Sequence, residues 1–351
     1  MDWRASTLRP KSPSKLDGAL APVQGELEAV SDRLLAELRD PVARMVVYLI
    51  TSGGKRLRPA LVLLAGNSGS APDRKGLIDA ATAVELIHTA TLIHDDIIDR
   101  STLRRSQPSF HHRWGTERAV LMGDYLYATA FTMLARLSIP SVTQVMADVC
   151  QQLCRGELRE VEARNRLDLT EGEYLEIVRD KTASLIGGCC HIGAALGGCD
   201  AKTAAQLTTF GVTFGLVFQI IDDCLDLTGD QRELGKSILS DLDKGTLSLP
   251  IIYLTQMLST RARQKLFEPL LTTLRRGNSQ SPTRAAGVRT LDPALLRRIA
   301  RAAQSRGAIA KAKTRARALI EEAQGALAHV PLNGLKDSYQ WLADYAVNRR
   351  S

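Results

Sequence analysis

Two short acidic clusters constrain this chain more than any other feature. "LIHDDIIDR", residues 92 to 100, ends an apolar helical run with Asp95, Asp96 and Asp99. "QIIDDCLDL", residues 219 to 227, repeats the arrangement with Asp222, Asp223 and Asp226. On a helix, residues three and four apart share a face with Cβ atoms roughly 5–6 Å apart, so Asp95 and Asp99 stack with Asp96 alongside. Like charges at that spacing repel and cost stability unless a cation or basic partner offsets them. A solvated helix end accounts for one such cluster. Two, each closing an apolar helix, imply a shared counter-charge. Carboxylates without adjacent Cys or His suit a hard cation, and Mg²⁺ takes one or two carboxylates together with phosphates. The pair predicts two helices facing across a cavity, with Mg²⁺ and a polyphosphate between them.

The remaining sequence is suited to building those helices. Ala and Leu dominate the periodic stretches, and hydrophobic residues make up 44% of the 351 positions, aromatic residues only 5%. An all-α single domain is expected, without alternating strand patterns. No apolar run reaches the ~18 residues of a membrane span; the longest, 210 to 221, contains Thr213 and Gln219. Residues 1–22 carry Arg4, Arg9, Lys11 and Lys15 among Ser, Thr and Pro, and lack a secretory apolar core. They read as a basic, disordered tail, with an organelle-targeting peptide as the alternative, and residues 23–351 as the domain.

The net charge of +8 admits a nucleic-acid binder. The basic residues are dispersed, however, without interleaved aromatics, and the run from Arg297 to Arg317 reads as a solvated helix face. An enzyme acting on small anionic substrates explains the charge equally well. Cys150, Cys154, Cys189, Cys190, Cys199 and Cys224 show neither a CxxC nor a zinc-like spacing. They read as reduced, with Cys150 and Cys154 in the core, which points to a reducing compartment such as the cytoplasm.

Basic residues flank the acidic clusters. In "SGGKRLRPA", residues 52 to 60, Gly53 and Gly54 allow a close turn and Pro59 opens a helix, placing Lys55, Arg56 and Arg58 at an anion-favouring N-terminus. His88 shares a stripe with Leu92, Asp95 and Asp99, and Arg104 and Arg105 lie just beyond. Guanidinium forks there suit either the carboxylates or phosphate oxygens. Lys181 and Thr182 precede an Ala/Gly-rich helix, Gln219 stands one turn before the second cluster, and Lys236 follows it. A helix is expected over 23–38 and another from Pro41 to Ile50. The stretch 275–292 reads as a mobile loop.

In these residues the chain resembles the trans-polyprenyl diphosphate synthases across roughly residues 23 to 349. The motifs that carry the resemblance are "GGKRLRP", "ELIHTATLIHDDIID" followed by "LRR", "MGDYLYATA", "GELRE", "DKTASL", "FQIIDDCLDLTGD", "LGKS" and "LADYAVNRR". "HTATLIHDDIID" is most similar to the long-chain members, of octaprenyl or solanesyl type, that make quinone side chains. The resemblance implies a bundle of roughly ten or more helices around a central elongation cavity. It also implies three Mg²⁺ ions held by Asp95, Asp96, Asp99, Asp222 and Asp226, with Asp223 and Lys181 in the catalytic set. Arg104, Lys181, Thr182, Gln219 and Lys236 would grip an allylic diphosphate, and Lys55, Arg58, His88 and Arg105 would bind isopentenyl diphosphate. Ala90, with Ile87 beside it, would form the floor that sets chain length; a small residue there favours a product beyond C20. A homodimer, and transient membrane contact as product leaves, are further implications.

One stretch departs from the family pattern. "SDLDKGTLSLP" has Thr246 where a lysine is usual and Lys244 two residues earlier. A farnesyl or geranylgeranyl diphosphate synthase of shorter product, and the catalytic subunit of a heteromeric synthase, are the nearest alternatives. A terpene cyclase would not need "GGKRLRP" to seat a second diphosphate, and a non-catalytic subunit would be expected to lose aspartates that this chain keeps.

Overall fold

The computed structural model describes residues 15–38, 44–51, 54–105, 107–137, 139–228, 239–278, 292–328 and 330–349. The first helices are α1 (Lys15–Leu20), α2 (Gln24–Glu37), α3 (Arg44–Thr51), α4 (Leu57–Asn67) and α5 (Arg74–Ile98). A two-residue hairpin, β1 (Leu103–Arg104) with β2 (Gln107–Pro108), precedes α6 (Phe110–Trp114), α7 (Thr116–Ala135), α8 (Pro140–Ala163) and α9 (Glu171–Val178). Then come α10 (Ser184–Leu196), α11 (Ala201–Thr228), α12 (Ser240–Lys244), α13 (Leu249–Met257) and α14 (Thr260–Asn278). The chain closes with α15 (Pro293–Ser305), α16 (Ala308–Leu327) and α17 (Lys336–Asn348). The hairpin is the only strand pairing among the described residues, and the fold is all-α as expected.

α5 organises the core. Asp73 caps it by accepting from the Gly76 amide at 3.0 Å. Ala80, Ala83, Val84, Leu86, Ile87 and Ala90 are fully buried, so the helix is apolar around most of its circumference, as a core helix must be. It packs on α2, α4 and α7, while α10 fills the space between α4, α8 and α11. α16 and α17 cover the outer side of α11.

α5 and α11 are both long and apolar enough to cross a membrane by length and composition, contrary to the expectation that no such run exists. They lie inside the bundle, with 72% and 50% of the relevant windows buried. The tail boundary also moves. Residues 15–20 are helical, and Ala19 and Leu20 are buried against the molecule, because α1 packs on α17. The helix expected from Pro41 is described from Arg44 onward, and residues 41–43 lie outside the described residues. The proposed loop from 275 begins as the last turn of α14, which runs to Asn278; residues 279–291 lie outside the described residues. All six cysteines are free, but Cys154 is exposed on α8 rather than part of the core.

Two local features position the site. Between α9 and α10 the backbone takes a π-helical turn, Arg179–Ala183, a widening common at functional sites. α8 passes directly over it at Gly156, where a Cβ would lie 2.4 Å from the Lys181 nitrogen. Only glycine permits that approach.

Candidate active site

The last turn of α5 presents the first cluster. Asp96 is buried, and Arg104 occupies both of its oxygens: Nε donates to each at 2.9 Å and Nη2 to Oδ1 at 2.7 Å. The tight hairpin after α5 is what turns Arg104 back onto this carboxylate. Asp99 accepts from Arg164 Nη2 at 3.0 Å and from Lys244 Nζ at 2.9 Å. Burial pushes the Asp95 carboxyl up to about 7, against the pull of the Lys181 ammonium, with Glu157 adding to the rise.

The second cluster ends α11. Asp222 accepts from Arg349 Nη2 at 3.0 Å; the same guanidinium donates to the Phe218 carbonyl at 2.7 Å and lies over the Phe218 ring. Asp223 is buried and faces away from solvent, accepting from the Tyr174 hydroxyl at 2.7 Å and from Gln219 Nε2 at 2.9 Å. Thr182 in the π turn donates to Gln219 Oε1 at 3.3 Å. Asp226 accepts from the Ser240 amide at 3.3 Å.

α12 shows that the two clusters face one another. Its first residue, Ser240, bonds to Asp226 of α11, and its last, Lys244, bonds to Asp99 of α5. A five-residue helix rises only about 7 Å, so the carboxylates of the two long helices are brought within one short helix of each other. Lys181 stands in the same region, its ammonium held at 2.8 Å by Glu157 and also by Glu160 of α8.

Among the described residues no three His, Cys, Asp or Glu side chains already form a metal-holding group. Resident cations compensate the carboxylates instead. The donor chemistry nevertheless suits a hard divalent ion: Asp95, Asp99, Asp222 and Asp226 offer oxygen only, and burial makes the Asp95 charge costly until a cation relieves it. Asp96 fits less well, since its side chain is only 1% exposed behind Arg104, whereas Asp99, also paired at both oxygens, keeps 17%.

On the other side of Arg104 the charge balance reverses. Ile50, Arg56, Glu85, His88, Thr89, Leu92, Arg104 and Arg105 line a small cavity of about 20 Å³. Arg56 begins α4 in the left-handed region, at φ 47°, and pairs with Glu85. Arg58 Nη1 lies 3.1 Å from His88 Nε2, and Arg58 Nε is buried with no partner. Burial, followed by Arg58, Arg105, Arg104 and Arg56, holds the His88 imidazole neutral, well below its usual range. The Arg105 guanidinium lies against Gly54. Lys55 stands over the Tyr345 ring at 5.4 Å, so α17 closes this side. Lys236 lies outside the described residues.

A sequence profile described as Polyprenyl synthetase matches residues 39–282. The chain belongs to this family. It is 39% identical over 240 residues to heptaprenyl diphosphate synthase component 2 of Geobacillus stearothermophilus, covering 68% of this chain and 73% of that one. It is 39% identical over 232 residues to the geranylgeranyl diphosphate synthase of Methanosarcina mazei, covering 64% and 71%. Its fold matches a polyprenyl synthase from Caulobacter crescentus CB15, complexed with calcium and isoprenyl diphosphate, at TM-score 0.86 and 30% identity, over 97% of this chain and 100% of that chain. The chain is therefore a trans-prenyltransferase acting on diphosphates.

Residues beyond those assigned from the sequence complete the site. Glu157 and Glu160, spaced one turn apart within "GELRE", were visible as a pair but without a partner. Arg164, Tyr174 and Arg349 carried no spacing signal toward the aspartates, because each reaches them from a separate element; Glu85, on α5 itself, pairs instead with Arg56.

Proposed function

We propose that the chain condenses isopentenyl diphosphate with an allylic diphosphate, farnesyl or geranylgeranyl, to make a long all-trans polyprenyl diphosphate for a quinone side chain. The observation that carries this reading is the pair of unlike sites on either side of Arg104: facing carboxylate clusters joined by α12, and an arginine-lined cavity around neutral His88. The first suits an allylic diphosphate with metal, the second a diphosphate without metal.

Mg²⁺ held by Asp95, Asp99, Asp222 and Asp226 would supply Lewis-acid stabilisation of the departing diphosphate. Calcium in the Caulobacter relative supports a divalent ion, and three Mg²⁺ ions per site is the proposed count. Lys181, Thr182, Gln219, Arg104 and Lys236 bind and orient the leaving group, whose C–O bond breaks with both electrons going to oxygen. Lys55, Arg58, Arg105 and His88 hold isopentenyl diphosphate so that its double bond reaches the resulting carbocation. The new carbon–carbon bond forms, and a proton passes from the adjacent carbon to an oxygen of the released diphosphate. Apolar walls around the site protect the cation from water.

A long product is supported by Ala90, which is fully buried on α5 together with Ile87, leaving the small side chain as the limit on space there. Radiolabelled isopentenyl diphosphate with farnesyl diphosphate and Mg²⁺, followed by chain-length chromatography, is expected to show products of roughly C30 to C50. A main product of C20 or shorter overturns the long-chain reading. In the same assay Ala90→Phe is expected to stop growth at C20, sparing the first condensation onto the farnesyl primer.

Leu121 of α7 and Leu158 of α8 are 66% and 65% exposed, apolar surface that supports a homodimer. The name of the Geobacillus relative, a component 2, supports a second reading, the catalytic subunit of a heteromer. Activity of the purified chain alone distinguishes the two. Cytoplasmic location, with transient membrane contact during product release, accompanies either reading.

A further inference from the structure

Asp99 is the most heavily compensated carboxylate of the first cluster. Arg164 Nη2 takes Oδ1 and Lys244 Nζ takes Oδ2, so each oxygen has its own cation. Neither cation belongs to α5. Arg164 follows α8, and Lys244 ends α12.

The two loops that deliver them are locked together. The Asn165 amide donates to the Gly245 carbonyl at 2.8 Å, and both residues adopt left-handed backbone, at φ 66° and φ 81°. A Cβ on Gly245 would lie 2.2 Å from Asn165 Oδ1, so the joint admits no larger residue without rearrangement. Left-handed backbone at a non-glycine residue such as Asn165 persists only where surrounding structure holds it. Here it brings two cations onto one carboxylate.

A second observation points beyond the ion pair. Arg164 Nε is buried and has no hydrogen-bond partner, although Nη2 of the same guanidinium is engaged. A buried, unpaired cationic donor is an unsatisfied demand for an anion. Asp99 alone does not meet it. The side chains of Asp99, Arg164 and Lys244 are 17%, 22% and 28% exposed, so the cluster is reachable from solvent.

We propose that Arg164 and Lys244 form a cationic clamp that holds Asp99 while metal is absent and turns to the allylic diphosphate when metal takes over the carboxylate. Both are positioning residues toward Asp99 and substrate-contacting residues in the loaded site. The inference rests on the metal and diphosphate reading given above.

The clamp predicts opposite effects on metal and substrate. Removing a competing cation should strengthen metal binding in the absence of substrate, and removing a diphosphate contact should weaken allylic substrate binding. The test titrates Mn²⁺ into the full chain without substrate, following free Mn²⁺ by electron paramagnetic resonance, for wild type, Lys244→Gln, Arg164→Gln and Lys244→Arg. In Lys244→Gln, Mn²⁺ should bind roughly three- to fivefold tighter, the effect expected of a partly exposed ion pair. In steady-state assays its KM for the allylic diphosphate should rise roughly ten- to hundredfold, as for loss of one charged hydrogen bond, with KM for isopentenyl diphosphate unchanged. Lys244→Arg should restore both, and Arg164→Gln should follow Lys244→Gln. Unchanged or weaker Mn²⁺ binding in Lys244→Gln, or a rise in both KM values alongside a lowered melting temperature, would show a structural staple and overturn the clamp. If wild type turns over no prenyl substrate the proposed reaction is wrong, and the Mn²⁺ titration still decides the clamp.

Discussion

The two sides of Arg104 hold charge in opposite ways. On the acidic side, Asp96, Asp99 and Asp222 each have a basic partner from another element: Arg104, Arg164 with Lys244, and Arg349. On the basic side, Arg56, Arg58, Arg104 and Arg105 crowd around His88 with Glu85 as the acid of the cavity lining. The acidic side must exchange partners when metal and substrate arrive. The basic side keeps an excess of donors, including the unpaired Arg58 Nε, and is ready for an anion as it stands. The site that needs metal keeps Asp96, Asp99 and Asp222 paired with cations until the metal comes; the site that needs only an anion holds its cations in excess.

The largest effect that tests this contrast lies on the acidic side. Asp95→Ala and Asp222→Ala should each lower kcat by on the order of 10²–10³, the usual loss when one charge-stabilising group is removed. Circular dichroism should show the helical content unchanged. Folded variants with near-normal kcat would remove both clusters from the reaction.

A smaller effect separates the two sides by substrate. Lys55→Ala should raise KM for isopentenyl diphosphate about tenfold, the loss of one charged hydrogen bond, and leave the allylic KM within about twofold. Lys181→Ala should do the reverse. It should also destabilise the fold, because Glu157 and Glu160 lose the ammonium between them. Equal shifts in both KM values would erase the division at Arg104.

Tyr174→Phe should act more mildly and on the acidic side alone. It leaves buried Asp223 with Gln219 but without the hydroxyl, loosening the Asp223–Gln219–Thr182 chain. A rise of roughly fivefold in the allylic KM, matching a hydrogen bond of about 1 kcal/mol, is expected. An unchanged allylic KM would mean that Gln219 is held by packing instead.

The finest test is the pH dependence of stability on the basic side. His88 is held neutral below its usual range, so the unfolded chain takes up this proton first as the pH falls below about 6.5. The native state then loses stability on acidification, by at most about 1.4 kcal/mol per pH unit for one proton. Urea midpoints between pH 7.5 and 5.5 should fall more steeply for wild type than for His88→Gln. Parallel slopes would show that neither burial nor the arginines hold the imidazole below its usual range.

Much of this was legible in the sequence. The long apolar periodicity is a local property, so α5 and α11 and the position of the aspartates at their ends could be read directly. The pattern in "GGKRLRP" likewise placed Arg58 near a helix start, where α4 now begins. The tail boundary and Cys154 were misjudged, because burial depends on which neighbour arrives, and α17 reaches α1 only in the folded chain.

What the sequence determined by itself is the composition of the site: carboxylates in two sets, arginines after the first, small residues on the core helices. Helical spacing and side-chain chemistry are sufficient for that, since both act within a few residues. Only the tertiary structure decided the pairings. Lys244 meets Asp99 across 145 residues, Arg349 meets Asp222 across 127, and Tyr174 meets Asp223 across 49. Such contacts carry no local signature, because charge attracts charge through space and the packing of α8, α11 and α12 sets which charges come within reach.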